Sequence, residues 1–261
     1  EVESDQKELV DIENALQSIK GLHRIAKVIE KTEKEQGDRD ETILKRRVSS
    51  SKGLTDYHFW DSLIASRAAA FEHIDGTLRA REHFDIKTDL RDPNLGIIKK
   101  LEQWKRPIVN LEISPEQIEN LGFDFLLTDE AWENAVTDEL DQWSFILHHI
   151  KRLSDSRDSM KIQKLVDLFN SGKRTLAFSG NIISLHYFLD KLTKRGVNIA
   201  SKNGKALVFD SSVEKSDAEE LFGLNTNHNE PLIGLFSNRF SEGVNLQSAS
   251  TLLHLDTPTT V

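Results

Sequence analysis

The chain has 261 residues, which is enough for one large domain or two of ordinary size. Charged residues make up 30% and hydrophobic residues 38%, a balance typical of globular proteins in water. The net charge is −9, from 34 Lys and Arg against 43 Asp and Glu, so contact with nucleic acid would have to come from a local basic patch. There is no cysteine, which excludes disulfides and thiolate metal sites, and no apolar run approaches the roughly 18 residues of a membrane span. We therefore expect a cytoplasmic protein with no membrane partner.

The first half of the chain has the periodicity of helices. Apolar residues recur at helical spacing from Leu9 to Ile29, with an interruption at Gly21, and one long helix is predicted from Tyr57 to about Ile86. Further on, Ser114 and Gln117 have the spacing of a capping box, in which two side chains satisfy N–H groups at the start of a helix. The pattern predicts a helical region over residues 1–154.

The segment Phe125–Trp132 imitates a Walker B box, because a hydrophobic run is followed by acidic residues. We interpret it as the start of a helix instead, since Thr128 can cap a helix whose acidic first turn lies at the positive end of the helix dipole. A Walker A motif is absent from the sequence, because Gly172-Lys173 and Gly204-Lys205 lack both the following Ser or Thr and the earlier Gly. The chain therefore carries neither of these nucleotide-binding motifs.

From Asp155 onward, predicted helices alternate with short apolar runs. One of these helices is expected to open with a capping box at Ser216–Glu219. The runs predicted as strands are Thr175–Ser179, Ala206–Phe209, Leu232–Phe236 and Leu252–Leu255. Such alternation predicts an α/β fold with a parallel sheet and right-handed crossovers.

A polar loop follows the predicted strand Leu232–Phe236. Ligands of open α/β sheets bind outside the carboxyl ends of the strands, so this loop is a candidate site. Gly243 lies within it, and a residue without a Cβ allows close approach of a phosphate or a neighbouring chain. The alternative interpretation is an ordinary connection between a strand and a helix.

The residues of this loop resemble those of a known family. The pattern Ser237-x-x-x-Ser241-Glu242-Gly243-Val244-Asn245-Leu246-Gln247, followed by a strand ending in Asp256-x-Pro258, resembles motif five of superfamily-two helicases. It is closer to the Swi/Snf-type translocases and their bacterial polymerase-recycling relatives. Upstream, Asp158-x-x-Lys161-x-x-x-Leu165 and Thr175–Ser179 follow the order of the second lobe of these enzymes, with Phe178-Ser179 at motif four.

The resemblance covers about residues 155–258. It implies a helical N-terminal region over 1–154, followed by an incomplete RecA-like parallel-sheet lobe over 155–261. The sequence ends at Val261, before the arginines of motif six, so we expect the parent chain to continue and this piece to be inactive alone. The segment Asp210–Phe222 also lacks an arginine-bearing stretch common in the family, and Asn238 stands where relatives are often acidic.

The resemblance further implies a fragment of an ATP-dependent DNA helicase or translocase. Glu242, Gly243 and Asn245 would face the nucleotide, with Asn245 near the ribose. ATP and Mg²⁺ would be held mainly by the first RecA-like lobe of the same parent chain, and no metal ligand or catalytic residue is expected in this piece. The residues that would face the backbone of DNA, or of RNA, are Ser179, Ser237 and Ser241.

The basic run Lys45, Arg46 and Arg47 has two interpretations. It can be the end of an amphipathic helix, where cations lie favourably at the negative pole of the dipole. Alternatively, the pattern LKRxxSS resembles a basic brace of bacterial Swi/Snf-like helicases, and the three cations would then bind nucleic acid. For the whole chain the competing hypothesis is a non-catalytic α/β module that docks protein or nucleic acid.

Overall fold

The computed structural model describes residues 2–30, 39–87, 93–109, 111–224, 226, 230–242 and 244–256. The chain divides into two compact units. The first unit comprises Glu1–Trp60, His73–Gly76 and Asn94–Leu153, and the second comprises Asp61–Glu72, Thr77–Pro93 and Ser154–Val261. Within the described ranges, no helix is long and apolar enough to cross a membrane.

All the described elements before residue 153 are helical, as the sequence predicts. They are α1 (Val2–Ser18), α2 (Leu22–Glu30), α3 (Asp40–Ala65), α4 (Arg67–Asp75), α5 (Thr77–Phe84), α6 (Gly96–Gln103), α7 (Pro115–Asn120), a 3₁₀ turn (Asp124–Leu126) and α8 (Asp129–Arg152). The predicted capping box of Ser114 and Gln117 is confirmed at the start of α7. The Thr128 side chain caps α8 by accepting a hydrogen bond from the Ala131 N–H, so the predicted helix start is also confirmed.

The single helix predicted from Tyr57 to Ile86 is wrong, because the chain breaks at Ser66 and at Gly76. The Ser66 hydroxyl accepts a hydrogen bond from the Ala69 N–H at 3.0 Å and so caps the start of α4. Gly76 has a φ of +89°, and a Cβ there would come within 2.7 Å of the Asn94 carbonyl oxygen. Only glycine adopts this backbone without strain, so α4 ends where Gly76 stands.

A buried carboxylate from α8 caps the first turn of α2. Glu139 is 3% exposed, and its two oxygens accept hydrogen bonds from the backbone N–H groups of Lys20, Gly21 and Leu22 at 3.0–3.2 Å. Burial raises the pKa of Glu139, while these hydrogen bonds act in the opposite direction. Helix α2 therefore begins at a position that is fixed by a side chain more than 100 residues away in sequence.

Helix α3 has one buried and one exposed face within the first unit. Its buried residues include Val48, Thr55 and Phe59, and the Thr55 hydroxyl donates to the Ser51 carbonyl at 2.8 Å. Gly53 lies on the exposed face, where glycine costs about 0.5–1 kcal/mol relative to alanine. The basic run 45–47 lies in the second turn of this 26-residue helix, so its interpretation as a helix end is wrong.

The second unit contains a four-stranded parallel sheet, which confirms the predicted α/β class. Its elements are α9 (Ser156–Asn170), β1 (Arg174–Ser179), α10 (Ile182–Thr193), β2 (Ser201–Lys202), β3 (Lys205–Ala206), β4 (Val208–Phe209), α11 (Lys215–Phe222), β5 (Leu232–Ser237), a 3₁₀ turn (Asn238–Ser241) and β6 (Thr251–His254). The strand order is β4-β5-β1-β6, and every neighbouring pair is parallel. Strands β1 and β5 are therefore central, and β1 is buried along its whole length.

Two details of the second unit differ from the sequence predictions. The predicted strand Ala206–Phe209 is divided, because Ala206 pairs with Ser201 in the antiparallel β2–β3 hairpin while β4 begins at Val208. Helix α11 begins at Lys215 without a side-chain cap, so the capping box at Ser216–Glu219 is wrong. The Glu219 carboxylate instead accepts a hydrogen bond from the Asn245 N–H at 3.1 Å.

A cluster of phenylalanines fills one face of the sheet. The rings of Phe209 and Phe236 stack with centroids 4.4 Å apart, and Phe178 stacks on the other side of Phe236 at 5.5 Å. Phe222 of α11 and Phe240 of the 3₁₀ turn meet Phe236 edge-on. Because Phe240 is buried in this core, it anchors the loop after β5 to the sheet, while polar residues of the loop remain exposed to solvent.

Candidate functional site at the carboxyl edge of the sheet

The carboxyl ends of the two central strands lie side by side. Ser179 ends β1, Ser237 ends β5, and the two are direct partners in the strand register. Both side chains are buried, with relative exposures of 0% and 7%. Two residues that the sequence analysis assigned to a nucleic-acid backbone are thus brought together at the edge where open α/β sheets bind ligands.

Asp256, just after β6, forms hydrogen bonds with the residues at the end of β1. Its Oδ2 accepts hydrogen bonds from the Ser179 hydroxyl at 2.6 Å and from the Gly180 N–H at 2.8 Å. The Ser179 oxygen in turn accepts from the Asn181 N–H at 3.1 Å. The Ser179 hydroxyl therefore already donates a hydrogen bond, and a phosphate could accept a hydrogen bond from it only by displacing Asp256.

The loop after β5 is held in place by hydrogen bonds within it and to the segment 211–215. The Arg239 guanidinium donates to the Ser211 carbonyl at 2.9 Å, and the Ser241 hydroxyl donates to the Asn238 carbonyl at 2.6 Å. Lys215 of α11 donates to the Glu242 carbonyl at 2.9 Å. These bonds leave the side chains of Ser241 and Glu242 exposed.

Ser241 and Asn245 line one groove of about 640 Å³. Its floor is apolar, from residues of β1 and β6, and Leu252 within it is 57% exposed. Its volume lies within the range of about 300–1,000 Å³ that is usual for small-ligand sites. Glu242 lies in the same loop, whereas Gly243, predicted to face a nucleotide, lies outside the described residues.

Asp158 and Lys161, which contribute to the resemblance, bind the junction between α3 and α4. The Lys161 ammonium donates to the carbonyls of Ile64 and Ala65 at 2.6 and 2.9 Å, and so caps the last turn of α3. Asp158 is buried and accepts from the Arg67 N–H at 3.3 Å. All five residues belong to the second unit. The spacing of this motif is thus explained by helix capping.

The charges at this junction are partly desolvated. Burial raises the pKa of Asp158, and the nearby Arg67 opposes that shift. Burial lowers the pKa of Lys161, while the carboxylates of Asp158 and Asp256 act in the opposite direction. Lys161 therefore lies within the electrostatic field of the same aspartate that holds Ser179.

Sequence reasoning missed a buried histidine near the end of β4. His186 of α10 is 5% exposed, and its Nε2 lies 3.9 Å from the Asp210 Oδ2. Burial lowers the pKa of His186, and Asp210 and Asp190 oppose that shift. A histidine within an apolar helix gives no signal in one sequence that distinguishes such a pair from simple packing.

The predicted basic residues belong to the first unit. Lys45 and Arg46 are exposed on α3, and Arg47 is half-buried. Lys52, which follows them, donates to the Leu16 carbonyl at 2.7 Å and pairs with Asp56, so it acts within the helical packing.

Comparison of the chain with protein-family models, with curated proteins and with solved structures found no match. Within the described residues, no group of three or more His, Asp or Glu side chains could hold a metal ion.

Proposed function

We propose that this chain contributes the second, RecA-like motor lobe of an ATP-dependent DNA helicase or translocase. The observation that carries the proposal is the position of the loop 237–247, the one that resembles motif five. It follows a central strand of a parallel sheet, and its residues Ser241 and Asn245 line a groove of about 640 Å³ together with residues of β1 and β6. Loops in this position bind ligands in many α/β proteins.

The loop chemistry suits phosphoryl transfer, which depends on positioning and charge stabilisation more than on covalent catalysis. Asn245 and Glu242 are exposed polar groups that can contact a nucleotide held by another lobe, with Gly243 between them in sequence. In this proposal ATP and Mg²⁺ bind mainly to the first lobe of the parent chain, and this lobe closes over them. Residues of this chain orient the nucleotide rather than react with it.

The nucleic-acid contacts are proposed at the same edge. The Ser241 side chain is exposed in the loop after β5, and Ser179 and Ser237 end the two neighbouring central strands. Hydroxyl and N–H groups bind phosphates without reading base sequence. A motor that moves along any DNA sequence requires contacts of this kind.

The competing function is a non-catalytic α/β module that docks protein or nucleic acid. The bond from the Ser179 hydroxyl to Asp256 favours it, because this motif residue serves the packing of the sheet edge in the structure. The absence of a Walker A motif from the sequence is compatible with both functions.

The test is Asn245→Ala in the parent polypeptide that joins this chain to a Walker A lobe. We expect DNA-stimulated ATP turnover to fall by about tenfold or more, as for the loss of one hydrogen bond in the transition state. The melting temperature should stay unchanged, because Asn245 is exposed. Asn134→Ala, an exposed site on α8, is the matched control. Wild-type turnover in Asn245→Ala would favour the docking module.

A further inference from the structure

A groove of about 750 Å³ lies in the first unit, beside α6, α8 and the segment that follows α6. Apolar side chains form much of its wall, and they are Leu101, Trp104, Ile108, Trp132 and Val136. The Trp132 Nε1 donates to the Trp104 carbonyl at 3.4 Å, so the segment after α6 is joined to α8. Ile108 is 70% exposed, although its side chain is large and apolar. The groove is therefore formed by the chain itself and presents apolar surface to solvent, as binding sites do.

The segment after α6 has an extended backbone. Trp104 has φ −87° and ψ +127°, and Arg106 precedes Pro107, which disfavours helical backbone at Arg106. Trp104, Arg106 and Ile108, at a spacing of two, all line the groove, as alternate residues of a strand would. Across the ranges that the structure describes, the backbone N–H and C=O groups of Lys105, Arg106 and Ile108 form no hydrogen bond. Such a segment can pair with an added strand.

The charges around the groove favour a basic partner. The Arg106 Nε donates to the Asp129 Oδ1 at 2.7 Å, so these two charges offset each other. The other charged residues that line the groove are Glu102, Glu133 and Lys105, two carboxylates against one ammonium. The chain as a whole carries a net charge of −9. Electrostatic complementarity therefore attracts a cationic partner and disfavours an acidic one.

Of the occupants that an apolar groove can take, a basic peptide fits these features best. A small apolar ligand would cover the tryptophans but leave the extended backbone unpaired. A second copy of this chain would bring its own net charge of −9 to an acidic rim. A basic peptide in an extended conformation satisfies the backbone groups, the apolar wall and the carboxylates together.

We propose that this groove binds an extended segment of another protein, in which apolar side chains alternate along the strand and basic residues flank them. The segment pairs with the backbone of residues 105–108. Its apolar side chains cover Trp104 and Ile108, and its cations lie near Glu102 and Glu133. Main-chain hydrogen bonds supply the affinity in this mode of recognition, and the side-chain contacts supply the specificity.

Peptide binding at this groove does not depend on the motor function. The groove belongs to the first unit, whereas the loop after β5 belongs to the second. Peptide affinity tests the groove, and ATP turnover in Asn245→Ala tests the loop. Either proposal can therefore fail without the other.

The first experiment titrates synthetic nonapeptides into the full chain in a calorimeter. The basic peptide has a central Phe, flanked on each side by Thr, then Val, then a pair of Lys. An acidic peptide has Glu in place of each Lys, and a third peptide is the basic one with N-methyl groups on alternate backbone nitrogens. We expect the basic peptide to bind about tenfold more tightly than the acidic one, and the N-methylated one not to bind. No binding of the basic peptide at about 1 mM, or equal binding of the basic peptide and either of the others, would overturn the proposal.

The second experiment changes the apolar wall at an exposed position, where folding should be unaffected. Ile108→Ser should weaken binding of the basic peptide by about tenfold, because an apolar contact is lost. Leu54→Ser, at a 47% exposed site on α3, is the matched control and should bind as the wild type does. Equal affinity of the two variants would overturn the proposal. A dimer in analytical ultracentrifugation that Ile108→Ser dissociates would also overturn it, because a second copy would then occupy the groove.

The third experiment reverses the charge of the rim. Glu133→Lys should weaken binding of the basic peptide and strengthen binding of the acidic one. Asp138→Lys makes the same change at an exposed site of α8 that does not line the groove, and should alter neither affinity. An equal effect of both variants would show a general charge effect and count against the groove as the binding site.

Discussion

Two buried histidines make the first unit sensitive to acid. The pKa of His23 and of His73 is lowered from the ordinary value of 6.5 to about 3, mainly by desolvation and in part by neighbouring cations, of which Arg24 and Lys100 act on both. Both imidazoles are therefore neutral in the folded protein at physiological pH. In the unfolded chain these two histidines take up protons below about pH 6.5, whereas in the folded chain they do so only near pH 3.

We predict that the free energy of unfolding falls as the pH is lowered from 6.5 towards 3. At pH 5 the expected loss is about 2 kcal/mol for each histidine. Urea unfolding at pH 7.5, 6 and 5 measures it. His23→Gln should reduce the dependence on pH, whereas His148→Gln, at an exposed site on α8, should not. A free energy that does not change between pH 7.5 and 5 would contradict the protonation states described here.

Single residues also show where sequence reasoning stops. The apolar periodicity predicted β1, β5 and β6 almost to the residue, and local caps such as Thr128 were visible because both partners lie within one turn. Ser66, by contrast, has a partner far away in sequence, because its hydroxyl oxygen lies 2.7 Å from the hydroxyl oxygen of Ser184, 118 residues later. Polar pairs of this kind leave no periodic signal, so the break between α3 and α4 could not be predicted.

At the scale of elements, the last turn of α3 depends on α9. Lys161 donates to the carbonyls of Ile64 and Ala65, and Arg157 donates to that of Leu63 at 2.9 Å. These carbonyls have no partner within the helix, because they belong to its last turn. The candidate site could be predicted only in part for a similar reason. The motif residues Asp158 and Lys161 are visible in the sequence, but their capping of α3 and α4 depends on contacts between segments far apart in the chain.

We predict that Lys161→Met destabilises the second unit by about 1–2 kcal/mol, because two carbonyls in the last turn of α3 lose their charged donor. Loss of the ammonium also removes its electrostatic attraction to the carboxylates of Asp158 and Asp256. Far-ultraviolet circular dichroism during urea unfolding measures the change. Lys164→Met, at an exposed site on the same helix, should be neutral. Equal stability of the two variants would show that the cap is dispensable.

At the scale of the whole molecule, the proposed function makes the chain a dependent part of a motor. The sequence contains no Walker A motif, and the groove beside Asn245 supplies only one side of a nucleotide site in this proposal. Affinity for the first lobe, added as a separate protein, should be low, because tethering normally supplies the effective concentration.

We therefore predict that the 261-residue chain hydrolyses no ATP above background, with or without DNA. Phosphate release over a range of protein concentrations is the measurement, and a known ATPase in the same buffer is the positive control. Robust turnover stimulated by DNA would contradict the assignment of this chain as a second lobe only.

The division into two units gives the protein a built-in optical label. Its four tryptophans, Trp60, Trp104, Trp132 and Trp143, all belong to the first unit, and the second unit has only Tyr187 besides its phenylalanines. Light emitted on excitation of indole therefore originates in the helical unit alone, while the sheet is nearly invisible at that wavelength. A change in tryptophan emission therefore reports on the unfolding of the first unit, which also holds His23 and His73, and the unfolding of the sheet must be followed by another signal.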